Sequence, residues 1–158
     1  MPEFTHLDAA GNPTMVDVGN KPVTRRTACA QAMVHLPPAV LAKLSGGEIT
    51  VPKGAVFQTA ILAGILAAKK TGDLIPLCHP LGLDNCKIEI RLTDQNLVRV
   101  ECEAVCTGKT GVEMEALTGA SIAALTIYDM CKSFSPEIII QNICLLEKTG
   151  GKKDFKRV

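Results

Sequence analysis

Two segments of the chain alternate apolar and polar residues with period two. In residues 86–92, CKIEIRL, the side chains of Ile88, Ile90 and Leu92 point one way while Lys87, Glu89 and Arg91 point the other. Residues 97–106, LVRVECEAVC, repeat the pattern, and Asp94-Gln95-Asn96 supplies a turn between them. The pair reads as a β-hairpin. Residues 23–35, VTRRTACAQAMVH, alternate more loosely but suit a long strand, and residues 137–146, EIIIQNICLL, read as a last strand.

Helical spacing occupies the gaps. LPPAVLAKL opens on prolines, which a helix tolerates in its first turn, and Ser45-Gly46-Gly47 is expected to end that short helix. In AVFQTAILAGILAAKKT, the apolar positions Val56, Ile61, Leu62, Ile65 and Leu66 fit a helix. It is apolar almost all round, so it is expected to be buried or to lie between subunits, with Gly72 as its cap. A third helix is expected in GKTGVEMEALTGASIAALTIYDMCKSF. Thr110 and Glu113 have the spacing of a capping box at its start.

The order is strand, helix, helix, hairpin, helix, strand. A hairpin demands antiparallel pairing, so the predicted fold is α+β, an antiparallel or mixed sheet with helices packed on one face. The ββα-β end resembles half of a ferredoxin-like unit. No repeat or low-complexity linker divides the chain, so residues 1–158 read as one domain. Residues 1–14 and 152–158 read as flexible arms.

Composition narrows this picture. The 158 residues include no Trp, one Tyr and four Phe, so the core must be built from Ile, Leu, Val, Ala and Met. A net charge of +1 gives no global argument for nucleic acid or membranes. RNA readers also need stacking aromatics, which are scarce here. No apolar run reaches the ~18 residues of a membrane span, and no signal segment opens the chain, so a cytoplasmic protein is expected. Seven cysteines at scattered positions do not make a secreted disulfide framework. There is no Cys-x-x-Cys, so no metal site is assigned. No cofactor is expected, and although Mg2+ stays open, no residue pattern indicates it.

Five stretches bear on chemistry. DLIPLCHPLGL brackets Leu77-Cys78-His79 between Pro76 and Pro80. Proline fixes φ and stiffens the loop, which suits a pocket wall better than a metal ligand set or a thiol nucleophile. VPKGAV places Lys53 beside a glycine at a strand–helix junction. CTGKTGVEMEAL has a phosphate-loop look, but Glu103 stands where Walker A needs a glycine, so that reading fails. What remains is a helix start that attracts anions, with Lys109 nearby and Glu113 and Glu115 on its first turn, pointing to different sides. In TIYDMCKSF, Asp129 and Lys132 are three apart on one helical face, a surface pair or an acid–base pair. LLEKTGGKKDF surrounds Gly150-Gly151 with Lys148, Lys152 and Lys153, either a basic tail or a phosphate contact. Together these suit a polyphosphate-bearing small molecule handled by acid–base chemistry.

THLDAAG, MVDV, DLIPLCHPL, TGKTGVEMEALT and AALTIYDMCK resemble the MoaC family of molybdenum cofactor biosynthesis, from about Thr5 to Phe155. The resemblance implies a ferredoxin-like α+β domain, a homohexamer built as a trimer of dimers, and a site shared across the dimer interface. It implies a cyclic pyranopterin monophosphate synthase, a lyase acting on 3′,8-cyclised GTP with release of pyrophosphate. By the same resemblance Asp129, Lys132 and Lys53 are catalytic. Leu77, Cys78, His79, Glu113, Met114, Glu115, Asp17, Arg26 and Lys148 contact substrate. A crowded cationic, desolvated site would lower the pKa of Lys53 and Lys132 and let them shuttle protons. The chain departs from the family pattern at Ala55, where many members carry an acidic residue, and in the apolar helix, where some carry a basic one. The competing expectation is a non-catalytic phosphate-binding scaffold, although every matched polar position is present.

Overall fold

A computed structural model describes residues 6–158; residues 1–5 of the expected N-terminal arm, and Thr5 of the THLDAAG motif, lie outside them. In chain order the elements are β1 (Thr24–His35), α1 (Pro38–Leu41), β2 (Leu44–Ser45), β3 (Glu48–Val51), β4 (Gly54–Ala55) and α2 (Val56–Ala68). There follow α3 (Thr71–Leu74), β5 (Asn85–Leu92), β6 (Leu97–Gly108), α4 (Glu113–Cys131), β7 (Ile139–Thr149) and β8 (Phe155–Lys156). The main sheet runs β5-β6-β1-β7-β8, with every neighbour antiparallel. β1, β6, β5 and β7 are its long strands, and α2 and α4 are the crossovers between them. That βαββαβ arrangement is ferredoxin-like, as the family resemblance implies; the strand and helix pattern predicts the α+β class and half of the unit.

Period two sets the buried face. Ala28, Ala30, Ala32 and Val34 of β1 and Val98, Val100, Cys102 and Ala104 of β6 all point into the core. Against them α4 lays Ala116, Ala120, Ala123, Ala124 and Ile127, and α2 lays Val56, Phe57 and Ala60. Small residues let the two helices approach closely. A Cβ added at Gly64 of α2 would sit 2.7 Å from the Gly119 carbonyl oxygen and 3.1 Å from Ala123 Cβ, so the crossing of α2 over α4 admits glycine there. The outer edge of α2 stays uncovered in the single chain, with Leu62 64% and Leu66 56% exposed. Among the described residues no helix is long and apolar enough to cross a membrane.

The structure departs from the sequence reading at four places. Ser45-Gly46-Gly47 does not simply end a helix. Gly46 and Gly47 have φ of 57° and 80° and turn β2 back onto β3, the geometry of a two-residue hairpin loop. With β4 this makes a second, three-stranded sheet. Gly72 does not cap α2; it lies inside α3, where an added Cβ would meet Pro80 Cα at 3.1 Å. The capping box does not form. Val112 is the N-cap of α4, without a side-chain bond, and Thr110 Oγ1 is buried with no partner among the described residues. Lastly, Phe155–Lys156 of the expected C-terminal arm pairs with Glu147–Lys148 as β8.

Candidate active site

The 19-residue helix α4 carries a polar cluster at each end. At its C-terminal end Asp129 sits between two lysines. Its Oδ1 accepts from Lys132 Nζ at 2.7 Å and its Oδ2 from Lys53 Nζ at 3.2 Å. Lys132 comes from the helix end itself. Lys53 is delivered by the tight β3–β4 turn, whose closing pair is Val51 with Gly54. Gly54 has φ of 119°, a conformation side chains avoid, so the turn that presents Lys53 calls for glycine there. Glu48 of β3 locks the turn onto α2. Its carboxylate accepts from the Phe57 and Gln58 amides at 2.8 and 3.1 Å, supplying the N-terminal anion that α2 lacks locally. Beside the trio lies a cavity of about 180 Å³ lined also by Val51, Met130 and Ser133.

Electrostatics here corrects one expectation. The Asp129 carboxyl is held below the usual carboxylate range by Lys132 first and Lys53 second. Lys132 in turn is raised by the hydrogen bond and charge of Asp129. A lowered lysine pKa requires desolvation or an excess of cations. In the single chain these side chains are more than half exposed, and the carboxylate partner wins.

At the N-terminal end of α4 lies a larger cavity of about 480 Å³. Arg26 of β1, Lys109 and Gly111 before α4, and Gly150-Gly151 after β7 form its body, and Val16, Val18 and Lys21 form an outer wall. An adjoining cavity of about 220 Å³ is lined by Arg26, Glu113 and Lys148 among others. Lys148 Nζ donates to Glu113 Oε1 at 2.8 Å, so Glu113 faces the cation it holds. Arg26 donates to the Lys109 carbonyl at 3.4 Å, and its buried Nε has no partner among the described residues. Lys109 Nζ reaches the Gly19 carbonyl at 2.6 Å. Gly150 has φ of 83° and packs on the Arg25 backbone, so β7 turns away there with its backbone against β1.

The proline-bracketed loop stands at the same end. His79 Nε2–H donates to the Val16 carbonyl at 2.7 Å, which occupies that ring nitrogen. Burial, then the charge of Glu115, pushes the Cys78 thiol up. It therefore stays protonated near neutrality, as a pocket wall requires and a nucleophile does not. Leu77 is half-buried beside it. Asp17 Oδ1 accepts from the Gly19 amide at 2.8 Å and shapes the loop that carries Val18. On α4, Met114 is exposed, whereas Glu115 is 4% exposed and its carboxyl is pushed up to about 7 by burial, with a further push from Glu113.

The expected site residues thus fall into two groups. Lys53, Asp129 and Lys132 meet at one end of α4. Arg26, Glu113, Lys148, Asp17, His79, Cys78, Leu77, Met114 and Glu115 gather at the other. Sixteen residues separate Glu113 from Asp129 on the helix, about 24 Å at a rise of about 1.5 Å per residue. One chain does not bring them together.

Residues 15–151 match the profile of the MoaC family. The chain belongs to that family. It is 51% identical over 152 residues to the cyclic pyranopterin monophosphate synthase of Xanthomonas campestris pv. campestris, covering 96% of this chain and 92% of that protein. It is 54% identical over 158 residues to a molybdenum cofactor biosynthesis bifunctional protein of Synechocystis, covering 98% of this chain and 46% of the longer protein. It is also similar, at 45% identity over 173 residues, to molybdenum cofactor biosynthesis protein 1 of Dictyostelium discoideum, covering 99% of this chain and 28% of that protein.

Within this MoaC-family chain the structure adds cavity residues that the site prediction leaves out: Lys21, Thr24, Lys109, Thr110, Gly150, Gly151 and Lys152. Lys109, Lys152 and the paired glycines stand in stretches whose composition already suits an anionic ligand. Lys21 lies in a loop with no periodicity, and only its place in the cavity wall marks it.

Proposed function

We propose that the protein is a cyclic pyranopterin monophosphate synthase, a lyase that converts 3′,8-cyclised GTP to cyclic pyranopterin monophosphate and pyrophosphate. The observation that carries the reading is the division of labour along α4: one carboxylate bridging two lysines at one end, a cation-lined cavity at the other. Ring opening and rearrangement require protons to be given and taken, work for Lys53, Asp129 and Lys132. Closing the cyclic phosphate breaks a P–O bond to pyrophosphate. Arg26 and Lys148 are placed to hold the triphosphate and neutralise the charge that develops on the leaving group. Leu77, Cys78, His79, Met114, Glu115, Glu113 and Asp17 shape or contact the pocket around the rest of the substrate.

The reading includes a second copy of the chain. A substrate the size of a nucleoside triphosphate does not bridge both ends of α4, so the working site joins the Asp129 end of one protomer to the Arg26 end of its partner. A two-fold pairing then makes two equal sites, and three such dimers make the hexamer. The exposed Leu62, Leu66 and Leu125 supply apolar surface for assembly. Burial against a partner is also the physical step that would strip water from Lys53 and Lys132, the desolvation that proton transfer by a lysine calls for. The reading further takes the protein to be cytoplasmic, to work without nucleic acid, membrane or cofactor, and to use a small-molecule substrate.

The test is subunit mixing with pyrophosphate release as the readout. Lys53→Ala and Arg26→Ala should each lose activity alone. Co-assembled in equal amounts, random pairing puts about half the chains into mixed dimers with one intact site of two, restoring about a quarter of wild-type release. No recovery would place both groups in one chain's site. Substrate binding without release by the wild type would favour a phosphate-binding scaffold.

A further inference from the structure

Residues 14–22 run across the outside of the larger cavity without joining either sheet. Their own hydrogen bonds are local: Thr14 N to the His6 carbonyl, Gly19 N to Asp17 Oδ1, Lys21 N to the Val18 carbonyl. Among the described residues two bonds tie the segment to the body. His79 Nε2–H donates to Val16 O at 2.7 Å, and Lys109 Nζ donates to Gly19 O at 2.6 Å. Both use a side chain on the body and a backbone carbonyl on the segment, so neither tie consumes a side chain of the segment. Between and beyond the ties it carries Val16, Val18 and Lys21 in the cavity wall.

We propose that His79 is a positioning residue: its Nε2–H, with Lys109 as a second tie, straps residues 14–22 over the cavity and thereby sets Lys21 in its wall. The Pro76 and Pro80 bracket gives the histidine a stiff mount, which a strap anchor needs. The two ties differ in kind. Lys109 carries a full charge and serves a neutral carbonyl, so an entering phosphate competes for it, because charge-assisted bonds between two ions are the stronger. His79 holds its carbonyl with an uncharged or charged ring alike, since Nε2–H donates in both forms. His79 is therefore the lasting anchor and Lys109 the latch an anion can take over. The effect on turnover rests on the proposed reading of this cavity as the triphosphate site; the tie itself does not.

The experiment combines amide hydrogen exchange of the substrate-free protein with steady-state kinetics. His79→Ala should speed exchange at Gly19 and Lys21 by about fivefold, the loss expected for one net hydrogen bond. His79→Gln, whose side-chain amide can donate to the same carbonyl, should restore slow exchange. In pyrophosphate release, His79→Ala should raise KM by roughly fivefold with a smaller fall in kcat, and His79→Gln should recover it. Unchanged exchange in His79→Ala overturns the strap. So does a loss confined to kcat that glutamine does not rescue, which would make His79 a proton-transfer group. The exchange arm needs no substrate, so it decides the tie even if the wild type fails to release pyrophosphate and the functional reading falls.

Discussion

The two ends of α4 are built on opposite plans. At the C-terminal end the charges satisfy one another: Asp129 is bridged by Lys53 and Lys132, and all three side chains are more than half exposed. At the N-terminal end the cations are only partly satisfied. Among the described residues Arg26 keeps a buried, unpaired Nε, Lys109 leans on a carbonyl, and Lys148 has one carboxylate. An ion cluster in water is chemically quiet, because its partners hold their protons where charge wants them. A walled cavity with spare donors is instead ready for an anion. On the proposed reading, the donors for the anion lie within one chain, whereas the ion cluster becomes reactive only once a partner encloses it.

Three substitutions probe that contrast, and the largest effect belongs to the quiet end. Asp129→Asn removes the charge that organises both lysines, and pyrophosphate release should fall by about a thousandfold, within the span of a lost general acid–base group. A rate near that of the wild type would overturn the assignment. At the other end Lys148→Met should weaken substrate binding by about 10–100-fold, as expected for a lost charged hydrogen bond, and act mainly through KM. A pure kcat loss would mean that Lys148 serves the chemistry and the contrast is drawn in the wrong place.

The smallest effect concerns Glu115, whose buried carboxyl is raised from 4.5 to about 7. Between those values the folded chain holds a proton that the unfolded chain has released, so stability falls as pH rises through that window. Glu115→Gln should therefore raise the melting temperature above the window and flatten its decline within it. An unchanged pH slope would show that Glu115 ionises freely in the fold.

Much of the fold was legible because it rests on periodicity. The 86–92 and 97–106 alternation yields the hairpin, and the apolar run before Tyr128 yields α4. The β2–β4 sheet was not, because strands of two to four residues are too short to show a period. Thr110 and Glu113 had capping-box spacing, but Glu113 turns to Lys148, a partner 35 residues on. The site shows the same boundary. Asp129 and Lys132 meet by helical spacing, which a sequence displays. Lys53 joins them across 76 residues, which only the tertiary fold decides. The resemblance pointed to Arg26 and Lys148 as well, but no one-dimensional pattern says that they stand a helix length away from Asp129.

That helix length is a dimension the protein is not free to let drift. Gly64 and Gly119 pin the crossing of α2 over α4, so the helix cannot slide to absorb a change. An extra residue inserted just after Gly119 is as impossible to hide as a misthreaded screw: beyond it, every side chain would turn by about 100° and advance by about 1.5 Å. Asp129 and Lys132 would then swing away together from Lys53 while the cavity at the far end stayed intact. In an evolving gene, the stretch from the first glutamate of α4 to its last cysteine tolerates changes of letter far more readily than changes of count.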